Sequence, residues 1–268
     1  MFKDITLGQF FPGDSVVHKM DPRVKLVLTV LFIIMLFSAK NVYGLLVGIA
    51  FTAISYLLSR IPFSMILKSM KPIIPIVAFT AVLNIFFIRT GKMLWHIGFI
   101  KIYDEGINTA VFMVTRIICL IVGSSLLTYT TSPIDLTDAI ERLLSPLKKI
   151  GAPVHELAMM MTIALRFIPT LIEETDKIMN AQKARGSELD TGTFREKVRG
   201  MVPIFIPLFV SSFRRAEELA VAMECRCYHG GEGRTRMKQL SAAPRDLFAC
   251  IYLAVFWAGT IAMNLFFK

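Results

Sequence analysis

Ionic side chains are scarce in this chain, and that scarcity decides its class. Only 19% of the 268 residues are charged, 54% are hydrophobic, and the mean hydropathy is +0.60. A soluble domain of this length needs more polar surface, so the composition indicates a polytopic membrane protein. Acids are scarcer than bases, with 20 Asp and Glu against 30 Lys and Arg. The bases flank apolar runs instead of clustering with aromatics, which argues against a nucleic-acid partner. Cysteine is limited to four residues. Cys119 and Cys250 lie in apolar runs, while Cys225 and Cys227 flank Arg226. No disulfide framework is expected, and Cys-x-Cys without further ligands gives no metal site. His18, His96, His155 and His229 all fall in expected loops or at span edges, and His155-Glu156 has no second histidine four residues on. That leaves neither a zinc-protease motif nor a base at membrane depth for an intramembrane enzyme. A phosphate-binding Gly-x-x-x-x-Gly-Lys-[Ser/Thr] is also missing. The Gly-rich stretch from Gly230 to Thr235 lacks the lysine and the preceding strand, and reads as a flexible loop.

Long apolar runs are abundant. They cover 24–39, 42–58, 72–88, 107–130 and 248–267, each near the ~20 residues that cross a bilayer. The first and third are short unless flanking residues contribute. Asp21-Pro22 is a helix-start signal, an N-cap followed by proline at the first helical position. Residues 1–22 have no apolar core before a small-residue cleavage site, so no cleavable signal sequence is expected. Lys19, Arg23 and Lys25, then Arg60, Lys68 and Lys71, then Lys148 and Lys149 fall on one side of four successive spans. The other side has Lys40, then Arg89, Lys92 and Lys101 offset by Asp104 and Glu105. The N-terminus is therefore expected in the cytoplasm and the C-terminus outside.

The expected organisation has three parts: a four-span membrane region (1–130), a cytoplasmic or interfacial module (131–245) and a last span (246–268). The module holds two shorter apolar stretches, 157–172 and 201–213, interrupted by Pro169 and by Pro203 and Pro207. Each runs into a charged amphipathic helix, which favours two long helices lying partly in the interface over a further hairpin of spans. On the second, Phe213, Ala216, Leu219, Ala220 and Met223 share one face, and Arg214, Arg215, Glu217 and Glu218 take the other. On the first, Ile172, Thr175, Ile178 and Gln182 make a weaker version.

Both helices finish in a matched pattern. Ala181-Gln182-Lys183-Ala184-Arg185-Gly186 is echoed by Ala222-Met223-Glu224-Cys225-Arg226-Cys227. Arg185 follows Ile178 by seven residues, as Arg226 follows Leu219, so each arginine continues an apolar face with ~20° of drift. Small neighbours let another backbone approach, and a guanidinium can hold a carboxylate through two hydrogen bonds. The bland alternative is a cation at the negative end of a helix dipole. Two matched ends suggest a grip on two similar partners.

At these residues the chain resembles the transmembrane T component of energy-coupling factor (ECF) transporters, which carries two Ala-Arg-Gly signatures at the ends of two coupling helices. Ala184-Arg185-Gly186 matches the first; Cys225-Arg226-Cys227 keeps only the arginine of the second. Pro12-Gly13-Asp14-Ser15, His18 and Asp21-Pro22-Arg23-x-Lys25 look like the family's N-terminal signature, and Thr130-Thr131-Ser132-Pro133-x-Asp135-Leu136 and Arg166-Phe167-Ile168-Pro169 look like its middle. The resemblance implies an all-α polytopic membrane protein of about five transmembrane helices plus a cytoplasmic coupling module of two long crossing amphipathic helices. It implies a non-catalytic subunit of an importer of vitamins or other micronutrients in the cell membrane. Its partners would be two cytoplasmic ATP-binding-cassette ATPases, which bind ATP and Mg, and a small substrate-binding membrane (S) subunit. This chain would carry no cofactor and no metal. Ala184, Arg185, Gly186, Cys225, Arg226 and Cys227 would couple to the ATPases; Ile178, Phe213, Ala216, Leu219, Ala220 and Met223 would contact the S subunit. A stand-alone secondary transporter or channel is the alternative. Against it, the five spans hold no Asp or Glu in their interiors; Arg116 is the only ionic side chain deep in one, with Asn84 and Asn264 as neutral polar groups.

Overall fold

The computed structural model describes residues 10–88, 90–97, 100–186, 194–230 and 241–266. The chain is an all-α polytopic membrane protein, with one small hairpin of strands. Its elements are α1 (Pro22–Ser38), α2 (Val42–Ser59), α3 (Phe63–Met70), α4 (Ile74–Phe87), β1 (Met93–Ile97), β2 (Ile100–Tyr103), α5 (Asp104–Thr130), α6 (Pro133–Leu144), a 3-10 turn (Ser145–Ile150), α7 (Val154–Ala184), α8 (Phe194–Cys225) and α9 (Pro244–Phe266). The described residues of Gly8–Ala139 and Gln239–Lys268 form one compact unit, and those of Ile140–Lys238 form another. By length and composition α2, α5, α7 and α9 can each cross a membrane, and α3 with α4 make a bent pair that counts as a fifth.

In the first unit α1, α2, α5 and α9 share a core of Phe32, Met35, Leu36, Leu45, Cys119 and Leu253. Apolar burial gives helices in lipid little reason to associate, so close packing must hold them. Two glycines serve that end. A Cβ on Gly48 would collide with Leu36, and one on Gly123 would collide with the ring of Phe32. Phe51 stacks on Phe32 and on Tyr252, with centroids 5.2 and 4.8 Å apart. Outward faces stay apolar: Leu57, Phe79, Phe87 and Val255 are exposed, as a lipid-facing surface requires.

Two cations join α1 to α5, which run antiparallel. Lys25, buried near the start of α1, donates from Nζ to Thr130 O (2.8 Å) at the end of α5 and to His18 O (3.1 Å). Arg116, midway along α5, donates from Nη2 to Ala39 O (2.5 Å) at the end of α1. Each cation thus caps the carbonyl end of the other helix, where the dipole is negative. Asp21 caps α1 by accepting from Arg23 N at 2.9 Å. Its own N–H donates to Asp246 Oδ1 (3.0 Å), which ties the start of α9 to the start of α1.

Two features differ from expectation. The run 72–88 is carried by α4 alone, 14 residues, and the flanking residues before it form a separate helix: α3 and α4 meet at 61°, because Pro72 has no N–H for the preceding turn and its ring crowds it. Second, Met93–Ile97 and Ile100–Tyr103 pair antiparallel, with His96 opposite Lys101 and Ile97 opposite Ile100. The two long helices form as expected: α7 and α8 continue through Pro169, Pro203 and Pro207 for 31 and 32 residues. Arg89, Phe267 and the Gly-rich stretch from Gly231 onward lie outside the described residues.

A candidate coupling surface on two long helices

α7 and α8 pack antiparallel. Three contacts fix the register. Near the middle, Glu174 accepts from Arg215 Nη2 at 3.0 Å and from the Ser211 hydroxyl. Closer to the connection, Gln182 Nε2 donates to Pro203 O at 3.4 Å. That carbonyl is available because Pro207, four residues on, has no N–H to give it. At the far end the Tyr228 hydroxyl donates to Met159 Sδ at 2.9 Å. Sequence reading missed all three. Only the Pro203–Pro207 spacing signalled one of them, by leaving an acceptor open.

The two arginine motifs end their helices in the same way. Gly186 adopts φ +83° and its N–H donates to Lys183 O at 3.0 Å. Cys227 adopts φ 54° and its N–H donates to Glu224 O at 2.8 Å; Tyr228 N–H then donates to Met223 O at 3.0 Å. The second end is a full Schellman motif, and the first shares its left-handed residue and its tighter bond. Arg185 and Arg226 therefore hold the same position, the last residue before the left-handed turn. Gly186 adopts that turn freely, whereas Cys227 does so with a Cβ, at about 1 kcal/mol.

The antiparallel register separates the motifs. Arg226 lies by the Met159 end of α7 and Arg185 ends that helix, so they stand roughly 39 Å apart along it. Ala184, Arg185, Gly186, Cys225, Arg226 and Cys227 are all exposed. Neither arginine forms an ion pair among the described residues. The expected S-subunit face divides by exposure. Phe213, Ala216 and Ala220 are exposed, whereas Ile178, Leu219 and Met223 are half-buried. The exposed residues continue a stripe up α8 through Val202, Ile206 and Phe209. Its spacing alternates four and three, one face of a helix. Side chains are bulky from Val202 to Phe213 and shrink to alanine at 216 and 220. Among the described residues no group of three His, Cys, Asp or Glu is placed to hold a metal ion.

The apolar bundle and long helix pair define the class, a polytopic α-helical membrane protein. The family model CbiQ, described as cobalt transport protein, matches residues 13–237. The energy-coupling factor transporter transmembrane protein EcfT of Clostridium kluyveri is 56% identical over 254 residues, covering 94% of this chain and 93% of the relative. The proteins of that name from Ruminiclostridium cellulolyticum and Bacillus subtilis are 52% identical over 267 residues (100% of each chain) and 49% identical over 257 (95% and 96%). This chain belongs to that family, the transmembrane components of energy-coupling factor transporters.

Proposed function

We propose that this chain is the non-catalytic coupling subunit between two cytoplasmic ATP-binding-cassette ATPases and a small substrate-binding membrane subunit. ATP and Mg belong to the ATPases. Arg185 and Arg226 each grip one of them, with acidic groove residues as the complementary chemistry. One observation supports this most. Two exposed arginines occupy the same capping position at opposite ends of one antiparallel pair. A mere dipole-capping role explains each arginine but not the shared geometry and exposure. The exposed stripe Val202–Ile206–Phe209–Phe213, with Ala216 and Ala220, is the face for the substrate-binding subunit. Motion of the ATPases passes along α7 and α8 through the Glu174–Arg215–Ser211 tie. The N-terminus and the α7–α8 ends face the cytoplasm and the C-terminus lies outside. The cargo is a vitamin or similar micronutrient chosen by the substrate-binding subunit.

The test is co-purification in mild detergent from the native host. Wild type should bring down two ATPases, and Arg185→Ala/Arg226→Ala should reach the membrane in normal amount yet lose them and lose uptake. Normal uptake by the double variant would refute the proposal.

A further inference from the structure

We propose that Arg116 and Lys40 form a binding notch for the phosphate of a phospholipid headgroup, at the end of α1 remote from Lys25. The first support is depth. The Lys25–Thr130 bond sets a common level at one end of α1 and α5. Fourteen residues on along each helix, roughly 21 Å away, Ala39 meets Arg116. Here α1 stops and the chain turns back through Lys40 and Asn41 into α2. α5 runs on to Asp104, roughly 18 Å farther. A bilayer's hydrocarbon is ~30 Å thick, so a helix this short is matched on the α1–α2 side by local thinning or by flanking cations that reach the headgroups.

The turn is built for a headgroup layer. Asn264 on α9 donates from Nδ2 to Ser38 O (2.9 Å) and accepts from Lys40 N (3.1 Å) at Oδ1. Lys40 is exposed, and Phe37 and Tyr43 beside it are 61% and 49% exposed. Such a mixture of cation and aromatics marks an interface.

The second support is an unsatisfied donor. Arg116 lies over the Phe112 ring (4.5 Å) and near that of Phe37 (5.7 Å), and makes one hydrogen bond, to Ala39 O. Its Nε is buried without a partner. Among the described residues no carboxylate pairs with it. The α1 carbonyl end meets this charge from one side, and an anion would satisfy the donor that is left. Lys40, the residue after Ala39, adds a second cation at the same helix end, so a phosphate diester fits, and a lipid with net negative charge fits better than a zwitterionic one.

The test uses the full chain, alone and in its co-purified complex, in phosphatidylcholine vesicles with trace spin-labelled phosphatidylglycerol. Wild type should hold that label in preference to labelled phosphatidylcholine by about threefold, alone and in the complex. Arg116→Gln/Lys40→Gln should abolish the preference. Because Arg116 also caps α1, Lys40→Gln is the folding-safe variant: only its backbone N–H holds Asn264, and it should lose about half the preference. An unchanged preference in both variants would overturn the site. Displacement of the label by millimolar inorganic phosphate would point to a soluble anion and overturn the lipid assignment. A preference seen only without partners would assign the notch to a partner's acid, and would equally overturn it.

Discussion

At the scale of the residue, the second motif shows what its neighbours are for. Cys227 replaces glycine in a left-handed turn, so what that position contributes is backbone conformation, not side-chain chemistry. Cys227→Gly should therefore keep ATPase association and raise stability by about 1 kcal/mol, read as a higher Tm in detergent. The native thiols also report on docking. Cys225, Cys227 and Cys250 are exposed and Cys119 is buried. A membrane-impermeant maleimide should label Cys225 and Cys227 in the isolated chain, and assembled ATPases should protect both; equal labelling in the two states would place the motif away from the interface. His18 gives a third prediction, ahead of α1. Its Nε2–H donates to Phe11 O at 3.0 Å, and Nδ1 is 2.6 Å from the Ser15 hydroxyl, from which it accepts in the neutral ring. Burial holds its pKa below 6.5, helped by the nearby Lys25 charge. A depressed histidine pKa means the unfolded segment binds the proton better, so this contribution is complete above pH 6.5 and is lost as pH falls below it. Proteolysis around residues 10–20 should rise from pH 7.5 to 5.5, and His18→Gln should abolish that pH dependence.

At the scale of the element, α7 and α8 must move as one body to transmit force. Their central tie is half-exposed, with Arg215 and Glu174 side chains 31% and 23% exposed. Such a pair contributes only about 0.2–1 kcal/mol, so the fold should survive its loss. Glu174→Gln should leave ATPase association intact while lowering uptake several-fold per ATP hydrolysed, because the helices can slip. Loss of association instead would make Glu174 part of the docking surface. The elements themselves were largely legible. Apolar runs marked the spans, Asp21-Pro22 marked the start of α1, and small-x-x-small-Arg-small marked both long-helix ends. Proline acts differently in the two places. Pro72 stands at the bend between α3 and α4, whereas Pro203 and Pro207 sit inside a continuous α8, where Gln182, on another helix, satisfies a freed carbonyl. The spacing of the two prolines shows the open acceptor but not which side chain fills it.

At the scale of the whole molecule, polar groups do what hydrophobic burial cannot do in lipid. Lys25, Arg116, Asp246 and Asn264 connect helix ends across more than 75 residues of sequence. Composition announced the membrane, and the charge distribution gave an orientation, but neither could show which helix end each cation would cap. The reciprocal capping of α1 and α5 depends on equal spacings, 25 to 39 and 116 to 130, that become meaningful only once the helices are antiparallel. The proposed coupling role rests on the same kind of fact, a shared position at two distant ends. Its most direct test is photo-crosslinking from Lys183 and Glu224, the matched exposed positions two residues before each arginine. With a photoreactive residue at either position in the assembled transporter, each site should capture one ATPase subunit. Capture of no ATPase from either position, with the transporter assembled and active, would contradict the two-armed grip.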